Sequence, residues 1–305
     1  MIRATMRRLV GAIATLGLLL ALVFAATRLL PGDVSSVVLG EEASAQERAA
    51  LRAELHLDAP VPVQFAHFAR GILTLTWGRS LRRPDEACLP RVLDAARPTA
   101  ALALTAVALG AVVGSGTAVV AVVRSSRAIR LVLDALAATP MLAFAPIVTW
   151  LFAFELRVVP LPGEPDAGLP GLLFAAGLLA LPLAAHVGRL ATALLEPLRD
   201  GNSLRLVRAK GASELRVWLA HGLAQVASTL VVLVGAQLGA LLGGAVVLER
   251  LFERPGLGLL ALEAWQARDL PMLEAAVLGS GVLFVGTQLA AATVASLVDA
   301  RSRDA

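Results

Sequence analysis

Residues 226–248 read VASTLVVLVGAQLGALLGGAVVL, 23 residues in succession without a charged side chain. As an α-helix at about 1.5 Å per residue the stretch is roughly 34 Å long, enough to cross a hydrocarbon core of about 30 Å. A helix satisfies its own backbone donors and acceptors, which lipid cannot do for it. Comparable apolar runs at 9–27, 99–123, 129–154, 169–190 and 273–298 bring the expected number of spans to six. The whole chain agrees: 57% of its 305 residues are hydrophobic and only 16% are charged, against roughly 25% charged in soluble domains. The sequence predicts an all-α polytopic membrane protein.

The N-terminal run from Leu9 to Thr27 follows Arg3, Arg7 and Arg8. It exceeds the apolar region of about 7–15 residues in a secretory signal, so it is expected to be an uncleaved spanning helix. An even number of spans puts both termini on one side. The segments on that side hold Arg3, Arg7, Arg8, then Arg124, Arg127, Arg130, then Arg189, Arg199, Arg205, Arg208, Lys210, Arg216, and finally Arg301 and Arg303. The two short loops opposite hold Arg157, Arg250, Arg254 and Arg268. Fourteen positive residues against four predict cytoplasmic termini and a plasma (inner) membrane location. The net charge of +4 is read as this loop bias and not as a nucleic-acid footprint.

The expected organisation is a cytoplasmic N-terminus with the first helix (1–27), an extracytoplasmic loop subdomain (28–98) and a five-helix core (99–305) that includes a cytoplasmic loop at 191–225. Within 28–98, residues Glu47–Leu57 predict a short helix, Pro60 and Pro62 a break, and Phe65, Phe68 and Ile72 an amphipathic segment. Cys88, the only cysteine, falls in a polar stretch and has no intrachain partner.

The spans carry almost no ionisable side chains. Asp134 is expected to pair with Arg130 four residues earlier, and His186 to bond to a neighbouring helix. A carrier coupled to protons or sodium needs a carboxylate or an unwound polar site near the midplane, so a self-sufficient carrier or channel is the weaker alternative. Pro140 and Pro146 in the third span and Pro182 in the fourth are expected to kink their helices. Gly235, Gly239 and Gly243 make one smooth face, read equally as bundle packing or as a subunit contact or pathway lining. Gly110, Gly114 and Gly116 lack the Lys-Ser/Thr of a phosphate loop and are read as close packing. Ser115 and Ser280, with His186, would be the residues of an intramembrane hydrolase, but neither serine sits in a nucleophile motif. Neither metal-ligand spacing nor a nucleotide site is found, and no cofactor is expected in this chain.

Just before the quoted span stands LRLVRAKGASELRVWL, residues 204–219. Gly211 is suited to the left-handed turn that ends a helix. Ser213 is positioned to cap a second helix, with Glu214 favoured in its first turn. The expected product is helix, sharp turn, helix, with basic residues at the bend. A loop of about 35 residues has room to dock a partner; an amphipathic helix resting on anionic lipid is the alternative.

Here the sequence resembles the membrane subunits of binding-protein-dependent ABC importers, in particular the first permease of the dipeptide/oligopeptide/nickel family. Arg208-Ala209-Lys210-Gly211-Ala212-Ser213-Glu214 is similar to that family's cytoplasmic coupling motif. Leu30-Pro31-Gly32-Asp33, Leu57 to Phe65, Trp77-Gly78-Arg79-Ser80-Leu81, Arg97-Pro98-Thr99-Ala100, Gly243 to Glu249, Pro255-Gly256-Leu257-Gly258 and Arg268-Asp269-Leu270-Pro271 match in order along nearly the whole chain. Arg205-Leu206-Val207 departs from the family's acidic-alanine start of the motif. The resemblance implies a type I importer bundle with an external loop subdomain. It implies a coupling loop of Arg205, Arg208, Ala209, Lys210, Gly211, Ala212, Ser213 and Glu214, a second homologous permease, two ATPases that bind ATP and Mg, and an extracytoplasmic binding protein. Peptides are the default cargo, and the chain itself is expected to be a transport subunit and not an enzyme.

Overall fold

The computed structural model describes residues 2–28, 35, 39–40, 43–54, 58–164 and 167–303. Its elements in chain order are α1 (Ile2–Arg28), α2 (Ala45–Glu54), α3 (Val61–Leu73), α4 (Cys88–Val123), α5 (Arg127–Ala138), α6 (Met141–Thr149), α7 (Gly168–Leu195), α8 (Asn202–Ala209), α9 (Glu214–Arg216), α10 (Leu223–Leu251), α11 (Leu257–Gln266) and α12 (Leu270–Arg303). A π-helical turn, Trp150–Glu155, extends α6, and another, Val217–Gly222, joins α9 to α10. Among the described residues the β-bridge between Arg79 and Ala87 is isolated.

Five helical stretches are long and apolar enough to cross a membrane: Met6–Arg28, Cys88–Val123, Gly168–Leu198, Glu214–Leu251 and Leu270–Ser296. The third expected span, 129–154, is not one straight helix. Arg127–Ala138 and Ala143–Glu155 meet at 109°, so the number rises to six only if the bent pair is a single crossing. Pro140 supplies the cause. The residue before a proline is pushed out of the helical region, and Thr139 is extended at φ −82° and ψ 125°.

The chain divides into two compact units, 1–99 with 255–285, and 100–254 with 286–305. In the first, Cys88, Val92, Leu257, Met272 and Ala276 are core residues. Cys88 is fully buried there, contrary to the polar setting expected for it. The helix expected at Glu47–Leu57 is α2, and a reciprocal capping box opens it: Ser44 N donates to Glu47 Oε2 (2.8 Å) and Glu47 N to Ser44 Oγ (3.2 Å). The Ser44 bonds hold the Glu47 carboxyl below its ordinary pKa. The break expected at Pro60 and Pro62 is present: residues 58–60 are non-helical and α3 opens at Val61, with Pro62 in its first turn, where a proline forfeits only an N–H that has no helical partner. Phe65 and Phe68 of α3 pack their rings 5.3 and 5.7 Å from Phe24 of α1. The helix α4 begins at Cys88, well before residue 99, because polar residues extend it; Asp94 and Arg97 pair at 3.4 Å one turn apart. Leu30-Pro31-Gly32-Asp33 and Leu57 lie outside the described residues.

In the second unit α4 packs closely on α7. A methyl on Gly110 would lie 2.7 Å from Leu183, and one on Gly114 2.6 Å from the Ala184 carbonyl oxygen. These two glycines therefore serve helix approach, as their spacing suggested; Gly116 faces open space. Two ion pairs differ from expectation. Asp134 pairs with Arg189 of α7 at 3.0 Å, and Arg130 with Glu196, because α5 lies against α7 and side chains across that contact are nearer than the next turn. His186 Nδ1 is 2.7 Å from the Pro182 carbonyl of its own helix, where a bond to another helix was expected.

Candidate functional site

The segment between α7 and α10 forms a braced elbow. The helix α8 is followed by its C-cap Lys210, whose N–H donates to the Leu206 carbonyl (3.2 Å). Gly211 follows at φ +82°, left-handed as expected, and its N–H donates to the Arg208 carbonyl (2.9 Å). Glycine adopts this conformation without the Cβ clash that other residues meet. Ser213 occupies the N-cap position of α9 with extended backbone (φ −64°, ψ 149°), but its side chain makes no capping bond, which corrects the role expected for it.

Arg208 also takes a different part from the one read in the sequence. Its Nε and Nη2 donate to the two carboxylate oxygens of Glu214 (2.6 and 3.2 Å), and its Nη1 to the Arg199 carbonyl (3.1 Å). The guanidinium lies 5.7 Å from the Trp218 ring centroid, and Trp218 Nε1 donates to Glu214 Oε2 (3.1 Å). The Glu214 hydrogen bonds hold the Arg208 guanidinium above its already high ordinary pKa, so this brace keeps its charge across the physiological range. The elbow is tied further by Arg199 Nη1 donating to Ser125 Oγ (2.6 Å). Its apolar anchors are Leu204, Val217 and Trp218, buried in one cluster with Val119, Val122 and Leu195. Arg205, Leu206, Ala209, Lys210, Gly211 and Leu215 remain exposed, while Ala212 is half-buried. The result is a rigid bend that offers three basic side chains (Arg205, Lys210 and Arg216) and two large apolar ones (Leu206 and Leu215) to a partner.

The other expected site residues are more dispersed. Gly235 is buried, and a methyl there would stand 3.1 Å from the Ala291 Cβ on α12. Gly239 is half-buried, and Gly243 is exposed with nothing within 4 Å of its would-be Cβ. The stripe is therefore a helix contact at one end and open surface at the other. Pro140 stands at the α5–α6 break, Pro146 inside α6 and Pro182 inside α7. The hydroxyl of Ser280 donates to the Ala276 carbonyl (2.9 Å), and His186 is held to its own helix; this geometry offers the hydrolase reading no nucleophile–base bond.

Residues 106–304 match the family of binding-protein-dependent transport system inner membrane components, and residues 1–102 match the N-terminal family of the same membrane components. The glutathione transport system permease protein GsiC of Salmonella choleraesuis is 33% identical over 295 residues, covering 93% of this chain and 94% of the relative. Its counterpart in Escherichia coli is 31% identical over 296 residues with the same coverage. The chain belongs to this family. It is a multi-pass inner-membrane permease subunit of an ABC importer; the matched families describe membrane components, so it provides passage and not ATP hydrolysis.

Three polar features in this permease escape a reading by motif. The loop from Trp77 to Arg83 is clasped to the start of α12. Asp269, only 4% exposed, accepts from the Ser80 hydroxyl, from Leu81 N (3.1 Å) and from Met272 N (3.4 Å), and Arg82 Nε donates to the Ala267 carbonyl (2.6 Å). The sequence shows both partners in matched motifs but not that they meet. The second is Glu274, inside the expected last span, where the reading named no carboxylate. It accepts from Thr27 Oγ1 (2.8 Å) and pairs with Arg28 (3.3 Å). Arg254 is a third case: burial lowers its pKa, and its Nε is sealed without a hydrogen-bond partner among the described residues.

Proposed function

We propose that the elbow at 202–216 is the coupling element on which a soluble ATPase acts. The observation that carries this is the combination of a left-handed Gly211 turn, a braced interior, and outward Arg205, Leu206 and Lys210. A bend that does not yield transmits a push to the helices continuous with it, and α9 runs through the π-helical turn into the long α10 without interruption. In this reading closure of an ATPase dimer drives two such bends together and tilts the bundles from inward- to outward-facing, a rigid-body two-state change. A second homologous permease, two ATPases and an external binding protein complete the system.

The bent α5–α6 pair is read as one crossing, which gives six, with both termini and the elbow in the cytoplasm. The excess of fourteen basic residues over four supports that orientation. Residues 28–98 are then an extracytoplasmic subdomain, and 99–305 the transport core. The cargo class is di- or oligopeptide, supported by the relatives named as glutathione permeases, glutathione being itself a peptide.

Gly211→Val tests the coupling role. Valine in the left-handed region costs about 1–2 kcal/mol, so the turn relaxes while Leu204, Val217 and Trp218 keep the segment seated. Uptake by the assembled importer is expected to fall by about tenfold or more, with insertion intact and ATP hydrolysis no longer responsive to the binding protein. Unchanged uptake by a well-expressed Gly211→Val permease refutes the role.

A further inference from the structure

The first compact unit contains a cavity of about 340 Å³ walled by α1, α3, the loop at 76–78 and the start of α12. Two opposite charges stand in its wall, and each is only half used. Arg28 donates from Nε to Gln64 Oε1 (3.3 Å) and from Nη1 to Thr27 Oγ1 (3.0 Å) and Glu274 Oε1 (3.3 Å). Its guanidinium also lies 4.4 Å from the Phe24 ring centroid. Every hydrogen bond to Glu274 falls on Oε1. Among the described residues, Arg28 Nη2 and Glu274 Oε2 therefore have no hydrogen-bond partner. Neither is one of the sealed unpartnered atoms of the fold, so both have accessible surface, and both residues line the cavity. The Glu274 side chain is 12% exposed and that of Arg28 24%, which removes most competing water. Phe68, Ile72 and Trp77 supply apolar wall beside the charges.

We infer that this cavity binds a small zwitterion through paired charges: Glu274 Oε2 takes an ammonium and Arg28 Nη2 a carboxylate, as at the termini of an amino acid or short peptide. A guanidinium alone would select anions and a carboxylate alone cations; the two side by side are net neutral and favour a ligand bearing both signs. Charge-assisted hydrogen bonds of this kind are the stronger class, and a partly desolvated site increases their worth. The volume suits a ligand of one or two residues with its side chain against Trp77 and Phe68. The Thr27 and Gln64 bonds hold the two charged groups in place before a ligand arrives. The assignment of the cavity to cargo rests on the importer reading above; binding itself does not, and it is measured without transport.

The test is equilibrium binding of radiolabelled L-alanyl-L-alanine to the full chain in nanodiscs of phosphatidylcholine and phosphatidylglycerol. A ligand of this size with two such contacts is expected to bind with a Kd of about 0.1–10 mM. N-acetyl-alanyl-alanine, which lacks the ammonium, and alanyl-alanine amide, which lacks the carboxylate, should each compete at least about tenfold less well. Glu274→Gln keeps an acceptor oxygen for Thr27 and Arg28, and so keeps the wall, but should weaken binding at least about tenfold. His67→Trp adds bulk to the cavity wall and should also weaken binding. No saturable binding to the wild-type chain, equal competition by the acetylated dipeptide, or full affinity in Glu274→Gln would overturn the proposal. So would displacement by glycerophosphoethanolamine at far lower concentration than by dipeptide, which would assign the cavity to a lipid headgroup. Because uptake is assayed separately, an importer that transports normally with an empty cavity sinks this inference and leaves the coupling role standing.

Discussion

The elbow and the Ser80–Asp269 clasp solve the same problem in opposite ways. Each uses one carboxylate to hold a loop against a helix start. Glu214, at the elbow, is 52% exposed and shares its charge with Arg208 and an indole N–H. Asp269, at the clasp, is buried and receives a hydroxyl and two backbone N–H groups. Exposed ion pairs contribute about 0–1 kcal/mol because water competes for both partners. A buried carboxylate with three donors is different, since its removal leaves each donor desolvated and unmatched. The elbow therefore owes its rigidity mainly to backbone and apolar anchors, and the clasp mainly to its carboxylate.

The sharpest way to break this contrast is Asp269→Ala, which orphans three donors and is expected to cost about 3–5 kcal/mol. It should lower the apparent Tm of the purified permease and open the 77–86 loop to protease. A variant as stable as the wild type would show that the clasp is incidental. Next is Leu204→Ala, expected to cost about 3 kcal/mol by emptying a fully buried site under the elbow. Its thermal shift should greatly exceed that of any charge change at the surface of α8. The smallest effect belongs to Glu214→Gln, which keeps the Trp218 bond and loses the ion pair, for less than about 1 kcal/mol. A loss as large as that of Leu204→Ala would reverse the assignment of what stiffens the elbow.

Much of the architecture was legible because lipid imposes a simple rule on sequence. The apolar runs located each crossing helix to within a few residues where the helix ends near the apolar boundary, as at Gly168 and Leu270. They failed at α4, where Arg91, Asp94 and Arg97 continue the helix beyond the apolar run; hydropathy sees solvent there, not backbone. Pro140 was visible, but how far it turns the chain is decided by what α5 and α6 pack against. At the elbow Gly211 was readable from local chemistry alone. Arg208 was not: its partner is six residues away across a turn, so a charge that reads as outward in a helical projection folds inward. Ser80 and Asp269 are 189 residues apart, and no periodicity joins them. Glu274 was hidden by its surroundings, a carboxylate tolerated in an apolar run because Arg28, from the far end of another helix, meets it.

The π-helical turn at Val217–Gly222 sets the azimuth of all that follows to Leu251. Such a turn holds one residue more than an α-helix would, and each helical residue advances the side-chain direction by about 100°. Gly235 faces Ala291 only because that surplus residue lies upstream. Excising a single amino acid between 217 and 222 would leave hydropathy and length almost untouched, yet would swing the helix by more than a quarter revolution and bring a bulkier neighbour to Ala291. The permease thus keeps the rotational setting of its longest continuous helix in a six-residue collar beside the bend, where a local twist is felt some 30 residues away.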